Sequence, residues 1–188
     1  MNWEDPDHLL IMKLGREEYC QRMLTSLIIG GPYPKWNSKN IPSESGFKFL
    51  KSLHHLSFGS DIEKPIEFID EFDLPGKSIN ESGGAPDYAV FWDNHLWIIE
   101  LKTESSSHRN DQLPMYLELA NHHYPKLKLE MLYITPSMVR IESAGLDDHS
   151  FSHLFWSEAS PLINKIWSGS DKNPERYLNL LCRMNCCK

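Results

Sequence analysis

The amino-acid sequence predicts one α/β domain in which a mixed β-sheet is flanked by helices. The chain has 188 residues, of which 40% are hydrophobic, so residues 1–188 suffice for a single domain with a real core. The hydrophobic patterns follow the order helices, three strands, helix and strand. The last helix and strand have the lengths of a right-handed crossover, which pairs its strands in parallel. Antiparallel and parallel pairing are therefore expected in one sheet.

Two helices are expected before the sheet. Apolar residues recur at helical spacing from Arg16 to Ile29, and the sequence Gly30-Gly31-Pro32 ends that pattern. Residues 33–42 are expected to form a loop. Ser43 is a good N-cap residue, and it precedes a second helical pattern that runs to about residue 55.

Three strands are expected next. Residues 65–72 alternate in the manner of a strand, whereas residues 74–85 are rich in glycine, proline and serine, which is typical of a loop. Residues 87–92 and 95–102 both have strand patterns, and Asp93-Asn94 between them suits a two-residue hairpin turn. One hairpin face carries Ala89, Phe91, Leu96 and Ile98, and the other carries Tyr88, Val90, Trp92, Trp97, Ile99 and Leu101. Because both faces are apolar, the sheet is expected to be covered on both sides.

The rest of the chain predicts the crossover and the C-terminal elements. A polar loop over residues 104–110 leads to Asp111, which is expected to cap a helix that runs to about residue 123. Pro114 falls in the first turn of this helix, where proline is tolerated. Residues 127–134 form the next predicted strand. The last predicted elements are a short strand over 151–156 and helices over 160–167 and 174–184.

The charge of the chain bears on its partners and location. The formal net charge is −7, which argues against a nucleic-acid partner because phosphate contacts need lysine and arginine. That objection weakens if carboxylates hold cations that then meet the phosphate. No run of about 18 apolar residues is present, so no transmembrane helix is expected. Glu4, Asp5 and Asp7 precede the first apolar run, unlike the basic start of a secretory signal, so a cytoplasmic protein without a membrane partner is expected.

The predicted hairpin places two acidic residues opposite each other. With Asp93-Asn94 as its turn, the numbers of paired residues sum to 187, so Asp87 faces Glu100. Carboxylates in that position have Cβ atoms about 5 Å apart and repel each other. Lys102 lies on the same face as Glu100, because side chains alternate along a strand.

A divalent cation between these side chains is expected to remove the repulsion. Mg²⁺ prefers oxygen ligands and usually takes one or two carboxylates, which here are those of Asp87 and Glu100. The backbone carbonyl of Leu101 is a further candidate ligand. Lys102 would then lie beside a metal-bound water, where it is expected to orient that water, assist its deprotonation or offset transition-state charge.

The segment that begins with Pro86-Asp87 and ends with Glu100-Leu101-Lys102 resembles the motif of the PD-(D/E)xK nuclease superfamily. The resemblance covers residues 43–156. It implies a restriction-endonuclease-like fold, in which a mixed β-sheet core is flanked by helices. It also implies hydrolysis of phosphodiester bonds, mostly in DNA, with Mg²⁺ or Mn²⁺. If the residue roles of the superfamily hold at the matching positions of this sequence, the resemblance implies that Asp87 and Glu100 are metal ligands and that Lys102 is the catalytic lysine.

Three further residues are candidates for substrate binding. Many members of this superfamily carry another acid on an N-terminal helix, and Glu44 is the candidate here, with a helix-dipole role as the alternative. Gln112 and Tyr116 lie one helical turn apart and resemble the Gln-x-x-x-Tyr pair of the RecB-like branch, which helps to hold the substrate strand. A polar cap residue and a core tyrosine are the alternative interpretation. Glu17 and Glu18 are expected on a solvated helix face.

Two other hypotheses stay open beside the nuclease. The same fold without catalysis would be a module that binds nucleic acid or a protein partner, and the acidic net charge favours it. An unrelated α/β domain would use Glu100 and Lys102 as an ordinary strand-end pair. DNA and RNA are both candidate substrates, and a homodimer and a subunit of a larger complex are both candidate assemblies. The four cysteines are expected to be free thiols rather than ligands of a cluster or zinc, because Cys186 and Cys187 are adjacent.

Overall fold

The chain folds around a six-stranded mixed β-sheet in a computed structural model that describes residues 15–64, 66–169 and 174–183. The helices are α1 (Arg16–Ile29), α2 (Glu44–Phe58), α3 (Gln112–His123), α4 (Trp156–Trp167) and α5 (Pro174–Arg183). The strands are β1 (Lys39–Asn40), β2 (Glu67–Asp70), β3 (Tyr88–Trp92), β4 (His95–Leu101), β5 (Lys128–Thr135) and β6 (Ser150–Phe155). The predicted mixed sheet flanked by helices is therefore confirmed.

The strands lie in the sheet in their order along the chain, from β1 to β6. Neighbouring strands from β1 to β4 pair antiparallel, whereas β4, β5 and β6 pair in parallel. The parallel step from β4 to β5 passes through α3, as the lengths of these elements predicted. The sheet is thus antiparallel on one side and parallel on the other, with β4 at the boundary.

Strands β3 and β4 form the predicted hairpin in the predicted register. Trp92 pairs with His95, and Tyr88 pairs with Ile99. Asp93, the first turn residue, has a φ of 43°, a left-handed conformation that aspartate tolerates in a two-residue turn. Two details differ from the prediction, because β3 begins at Tyr88 rather than at Asp87 and β4 ends at Leu101 rather than at Lys102. Asp87 therefore lies at the open end of the hairpin, just before the first paired residue of β3.

Helices cover both faces of the sheet, as its two apolar faces predicted. Val90, Trp97 and Ile99 belong to a core that the sheet shares with α1, α2, α4 and α5. Ala89 and Ile98 belong to a second core, which the sheet shares with α3. All five side chains are buried, and full burial of a large apolar side chain stabilises a fold by about 1.5–3 kcal/mol relative to exposure. The central hairpin is thus held between two helical layers.

Helix α2 begins where its N-cap residue predicted. The Oγ of Ser43 accepts a hydrogen bond from the backbone N–H of Gly46 at 3.0 Å. Glycine is required at that position, because a Cβ would lie 1.8 Å from the carbonyl oxygen of Ile28 at the end of α1. The helix runs beyond its predicted end to Phe58, and Gly59, with a φ of 71°, ends it.

Two expectations about the N-terminal half and one about α3 need correction. Residues 33–42 are not all loop, since they include β1, whose two residues are polar and carry no strand pattern. Strand β2 is shorter than the predicted 65–72, and Pro65 lies outside the described residues. The side chain of Asp111 does not cap α3, because the backbone at Asp111 is already helical, with a φ of −93° and a ψ of −10°.

The C-terminal elements differ from their prediction mainly in where one helix begins. Strand β6 is the predicted short strand, and it pairs in parallel with β5. Helix α4 begins at Trp156 rather than at residue 160. The carboxylate of Glu158 accepts a hydrogen bond from the backbone N–H of Phe155 at 2.8 Å, which fixes the start of the helix there.

Some predictions fall outside the described residues. They concern the acidic N-terminal segment 1–14, Met184 at the end of the last predicted helix, and Cys186 and Cys187. Cys20 is buried, with its Sγ 3.0 Å from the hydroxyl of Tyr177, and Cys182 is exposed. Within the three described ranges, no helix is both long enough and apolar enough to cross a membrane.

Candidate active site

The predicted catalytic residues come together at the end of β4 that follows Glu100. Glu100 is 2% exposed and Lys102 is 5% exposed, so both charged groups are removed from bulk water. Asp87 approaches them from the start of the hairpin. Lys102 lies just beyond β4, and its backbone N–H donates to the carbonyl of Ile134 at 2.8 Å, which continues the pairing with β5. Rigid backbone on three strands therefore positions the cluster.

Asp87 and Glu100 face each other across the open end of the hairpin. The backbone N–H of Leu101 donates to Oδ2 of Asp87 at 2.6 Å, and the backbone N–H of Asp87 lies 3.3 Å from Oε2 of Glu100. Each carboxylate is thus fixed by the backbone of the opposite strand. Within the described residues, no hydrogen bond reaches Oδ1 of Asp87, so this oxygen is available as a ligand.

Lys102 forms ion pairs with two carboxylates. Its Nζ lies 2.6 Å from Oε1 of Glu100 and 3.0 Å from Oε1 of Glu17. The indole N–H of Trp156 donates to the carbonyl of Lys102 at 2.7 Å and holds its backbone in place. The ammonium group therefore lies inside the acidic cluster rather than in solvent.

Glu17, in the first turn of α1, is a residue that the sequence interpretation missed. Its Oε2 accepts weaker hydrogen bonds from the Oγ of Ser107 at 3.3 Å and the backbone N–H of Thr103 at 3.4 Å. The expectation of a solvated Glu17 is wrong, because the side chain is only 35% exposed. One signal was present in the sequence, since Glu17 lies four residues before Gln21 and seven before Leu24, on the buried stripe of α1.

Glu44, the predicted acid from an N-terminal helix, lies elsewhere. Its carboxylate is 67% exposed and pairs with the Nζ of Lys64 at 2.8 Å. The hydrogen bond from Lys64 lowers the pKa of Glu44. These contacts show no link to the acidic cluster, and the first-turn position of Glu44 in α2 agrees with the helix-dipole alternative.

Gln112 and Tyr116 share one face of α3, and the structure brings both to the cluster. The Nε2 of Gln112 donates to Oε1 of Glu100 at 2.9 Å and lies 2.8 Å from the hydroxyl of Tyr116. That hydroxyl donates to the carbonyl of Ala85 at 3.3 Å. Gly84 allows this approach, because a Cβ there would lie 2.6 Å from the tyrosine ring. The pair thus links α3 to Glu100 and to the loop before Asp87.

The cluster carries more negative charge than the protein balances. Burial raises the pKa of Asp87 well above its usual range, and the neighbouring Glu100 carboxylate raises it further. Burial also raises the pKa of Glu100, although Lys102 opposes this shift. The pKa of Lys102 is raised, because the three carboxylates outweigh the opposing effect of burial. Three carboxylates around one ammonium leave a formal charge of −2, which matches one divalent cation.

The carboxylates of the cluster are ligands of the type that Mg²⁺ and Mn²⁺ take. Within the described residues, no group of three or more His, Cys, Asp and Glu side chains is arranged so that it could hold a metal ion. Two carboxylates are nevertheless the number that Mg²⁺ commonly takes from a protein, and the other positions go to water and substrate oxygens. Asp87 and Glu100 supply such a pair. The carbonyl of Leu101 stays a predicted further ligand.

Gln21 and the backbone N–H of Glu71 hold the backbone carbonyl of Asp87 in place. The carbonyl of Asp87 accepts hydrogen bonds from the backbone N–H of Glu71 at 2.8 Å and from Nε2 of Gln21 at 3.3 Å. The same Nε2 donates to Oδ1 of Asp70, which is fully buried. Burial raises the pKa of Asp70, while hydrogen bonds from Thr25 and other donors oppose the shift. Asp70 was not predicted as a site residue, and its carboxylate accepts hydrogen bonds from Gln21, Thr25 and Tyr33.

A row of polar side chains extends from the cluster across the parallel strands. Glu100 pairs in register with Tyr133, and Tyr133 pairs with His153. The hydroxyl of Tyr133 lies 3.0 Å from Nδ1 of His108, in the loop after β4. Register partners on neighbouring strands share a face of the sheet. Glu100, Tyr133 and His153 therefore form a row of polar side chains on one face, across β4, β5 and β6.

His153 is held as a neutral imidazole. Its Nδ1 accepts a hydrogen bond from the backbone N–H of Ile141 at 3.0 Å, so the proton is on Nε2, which lies 2.8 Å from Oγ1 of Thr135. Burial lowers the pKa of His153 to about 4, and the positive charge of Arg140 contributes to the shift. The imidazole therefore stays uncharged at neutral pH.

Replacement of His153 by glutamine is expected to reduce the acid sensitivity of the fold. A folded-state pKa below the unfolded value near 6.5 gives stability above that pH, and this stability is lost as the pH falls from 6.5 to about 4. Wild type should lose about 2 kcal/mol more than His153→Gln between these limits, measured by urea unfolding. The exposed His122→Gln serves as the control and should follow wild type. Equal losses in all three proteins would contradict the neutral assignment.

Comparison of the chain with protein families, with curated proteins and with solved structures found no match.

Proposed function

We propose that the chain is a divalent-metal-dependent nuclease that hydrolyses phosphodiester bonds in DNA. The observation that carries the proposal is the cluster of half-buried Asp87 with buried Glu100 and Lys102 at one end of β4, with negative charge in excess. Buried carboxylates that face each other are costly without a cation, and buried groups with shifted pKa values concentrate at functional sites. A structural ion pair would need only one acid for one lysine.

The fold supports the same proposal. The order of elements, with antiparallel β2 to β4, then α3, then parallel β5, is the arrangement that the resemblance to the PD-(D/E)xK superfamily implies. Asp87 and Glu100 lie at the positions of that motif, at the start of one hairpin strand and near the end of the other. A restriction-endonuclease-like fold is therefore part of the proposal.

The roles of the individual residues follow from their contacts. Asp87 and Glu100 would hold Mg²⁺ or Mn²⁺, which when bound supplies an activated water and polarises a phosphate oxygen. Gln112 fixes the orientation of Glu100 through its hydrogen bond to Oε1. Lys102 has its ammonium 2.6 Å from the same oxygen, where it can neutralise negative charge that develops on the phosphate. Glu17 holds that ammonium from the opposite side.

The net charge of −7 is compatible with a DNA substrate under this proposal. A divalent ion at Asp87 and Glu100 changes the local charge from repulsive to neutral for a phosphate. Arg109, an exposed basic side chain in the loop after β4, lies three residues before Gln112. The protein therefore depends on its metal to approach the phosphate more than a basic DNA-binding protein does.

The test is a cleavage assay on linear duplex, circular and single-stranded DNA, with Mg²⁺, Mn²⁺ or EDTA. Wild type is expected to cut with either metal and not with EDTA. Glu100→Gln keeps the shape and the acceptor oxygen for Gln112 but removes the charge, and it should lose about a hundredfold or more in rate. The matched control is Glu104→Gln, whose carboxylate is 52% exposed and pairs with Arg16. That variant should cleave at the wild-type rate.

Two results would reject the nuclease. One is cutting that is equal in wild type and Glu100→Gln, which would assign the activity to a contaminant or to another site. The other is a wild type that binds DNA but cuts no substrate and shows no Mn²⁺ binding by calorimetry. That second result would favour a non-catalytic nucleic-acid-binding module. Cutting of circular DNA separates an endonuclease from an exonuclease.

A further inference from the structure

A cleft of about 260 Å³ lies beside the candidate active site, between the start of α3 and the loop before β6. Its walls are apolar, from Leu113 and Pro114 on the helix and from Ile141 and Ala144 on the loop. Pockets for drug-sized ligands hold about 300–1,000 Å³, so this cleft suits a smaller, fragment-sized group.

The cleft lies near the acidic cluster, and two residues that line it are neighbours of groups that contact or adjoin Glu100. Leu113 follows Gln112, whose side chain donates to Glu100. At the other end, His108 lines the cleft and contacts the hydroxyl of Tyr133, the register partner of Glu100. A group bound in the cleft could therefore belong to a polymeric substrate that also reaches the carboxylates of the cluster.

We propose that this cleft binds one unstacked nucleobase of the DNA strand that is cut. The inference rests on the proposed nuclease function, and it names the substrate class. A base can enter such a cleft only where it has left the base stack, so the substrate is a single strand or a frayed end rather than a continuous duplex.

The chemistry of the lining suits a base better than a peptide side chain or a lipid. Apolar walls offer surfaces for the flat faces of a base, and polar groups at the rim offer partners for its edge. Those groups are His108, Asn110 and Ser143. The Nε2 of His108 lies 3.1 Å from Oδ1 of Asn110, which leaves the amide nitrogen of Asn110 as a donor.

The loop side of the cleft depends on one glycine. Gly145 has a φ of +103°, and a Cβ there would lie 3.3 Å from Cγ of Pro114. The loop can therefore lie close against the first turn of α3. Arg109, between the two polar lining residues of the loop after β4, is exposed and can meet the phosphate that follows the bound base.

The experiment blocks the cleft from its exposed lip. Ser143 is exposed, so Ser143→Trp adds a ring at the mouth of the cleft without disturbing the buried core. It also removes the hydrogen bond from the backbone N–H of Gly145 to Oγ of Ser143 at 3.2 Å, an effect that Asn110→Ala does not share. Val139→Trp is the matched control, because Val139 is 86% exposed, belongs to the same loop and does not line the cleft. Asn110→Ala is a second test variant that removes a polar partner and adds no bulk. Melting temperatures establish that all variants are folded.

The measurement is fluorescence anisotropy of a short labelled DNA strand in Mg²⁺, with phosphorothioate linkages that resist cutting. Wild type and Val139→Trp are expected to bind the single strand about tenfold more tightly than the duplex of the same sequence, since burial of about 55 Å² of apolar base surface contributes about that factor. Ser143→Trp should lose this preference, and Asn110→Ala should lose part of it. A strand with abasic sites should bind wild type as weakly as the duplex does.

The outcomes separate the cleft from the nuclease. Equal binding of single strand, duplex and abasic strand by wild type, unchanged in Ser143→Trp, overturns the cleft even if metal-dependent cutting is found. A preference for the single strand that Ser143→Trp abolishes upholds the cleft even if the chain cuts nothing. Loss of affinity in Val139→Trp equal to that in Ser143→Trp would also overturn the proposal, because the effect would then belong to the loop.

Discussion

Replacement of Asp87 by asparagine is expected to lower DNA cleavage by about a thousandfold or more while the fold is kept or stabilised in EDTA. Asparagine has the size of aspartate and keeps an oxygen that can accept the hydrogen bond from the backbone N–H of Leu101. It removes one of the two charges that would hold the metal. The rate should fall with either Mg²⁺ or Mn²⁺, because the change affects the site rather than the choice of ion.

The stability part of this prediction follows from the raised pKa of Asp87. A carboxyl group with a folded-state pKa above its unfolded value favours folding at low pH, and this contribution disappears as the pH rises through the folded value. At a pH above the folded-state pKa and without metal, ionised Asp87 therefore destabilises the fold. Asp87→Asn should melt at the same or a higher temperature than wild type in EDTA.

Addition of Mg²⁺ reverses that order. A ligand that binds only the folded state raises the melting temperature, so wild type should gain stability with Mg²⁺ and Asp87→Asn should gain little. The control is Asp73→Asn, an exposed aspartate near the same loop, which should respond to Mg²⁺ as wild type does. A large drop in the melting temperature of Asp87→Asn in EDTA would instead assign a structural role to Asp87.

Replacement of Lys102 by methionine has the largest expected effect on stability. Methionine has a similar length but no charge, and it leaves Glu100 buried without its closest partner, 2.6 Å away. Loss of one member of a buried ion pair costs about 3–5 kcal/mol, measured here by urea unfolding in EDTA. Cleavage should also fall by about a hundredfold or more, because the ammonium that offsets transition-state charge is gone.

A similar pair on the next strand provides the control. Lys128 lies 3.0 Å from Oε1 of the buried Glu130, two residues away, but its own side chain is 56% exposed. Solvent screens that pair, so Lys128→Met should cost about 1 kcal/mol or less. Equal losses in the two variants would show that the environment of Lys102 is not special.

The double variant Glu100→Gln/Lys102→Met separates charge from packing. It removes both members of the pair, so most of the lost stability should return, whereas cleavage should stay absent. Mg²⁺ should stabilise Lys102→Met more than wild type, because the cation takes over the balance of the carboxylate charge. A Lys102→Met variant that cleaves DNA at the wild-type rate would exclude the assigned role of the lysine.

The sequence by itself determined the central hairpin and the pair of acids at its end. A two-residue turn fixes the register of both strands, and the period of two fixes which side chains share a face. Asp87, Glu100 and Lys102 are all within 16 residues of one another, so no distant part of the chain was needed to bring them together. The two apolar faces likewise predicted helices on both sides, which the two cores confirm.

For helix α3, the sequence predicted which residues share a face but not what that face contacts. The spacing of Gln112 and Tyr116 placed both on one helix face, because residues four apart are neighbours on any α-helix. Their contact with Glu100 depends on how the crossover packs α3 against the sheet. The hydrogen bond from Gln112 therefore favours a site role over the alternative of a polar cap residue, and only the tertiary structure supplied that contact.

Which of the two acids, Glu17 or Glu44, lies beside Lys102 depends entirely on tertiary structure. Both are acids in the first turn of a helix, and local sequence gives no reason to place either beside Lys102. The pair of Glu17 and Lys102 spans 85 residues, and it depends on the packing of α1 against the end of the sheet. The cleft beside His108 has the same origin, since the loop before β6 meets the first turn of α3, which is about 30 residues away in the sequence. Periodicity fixes which face of an element is buried, but the position at which two elements meet is set by packing between residues that are far apart in sequence.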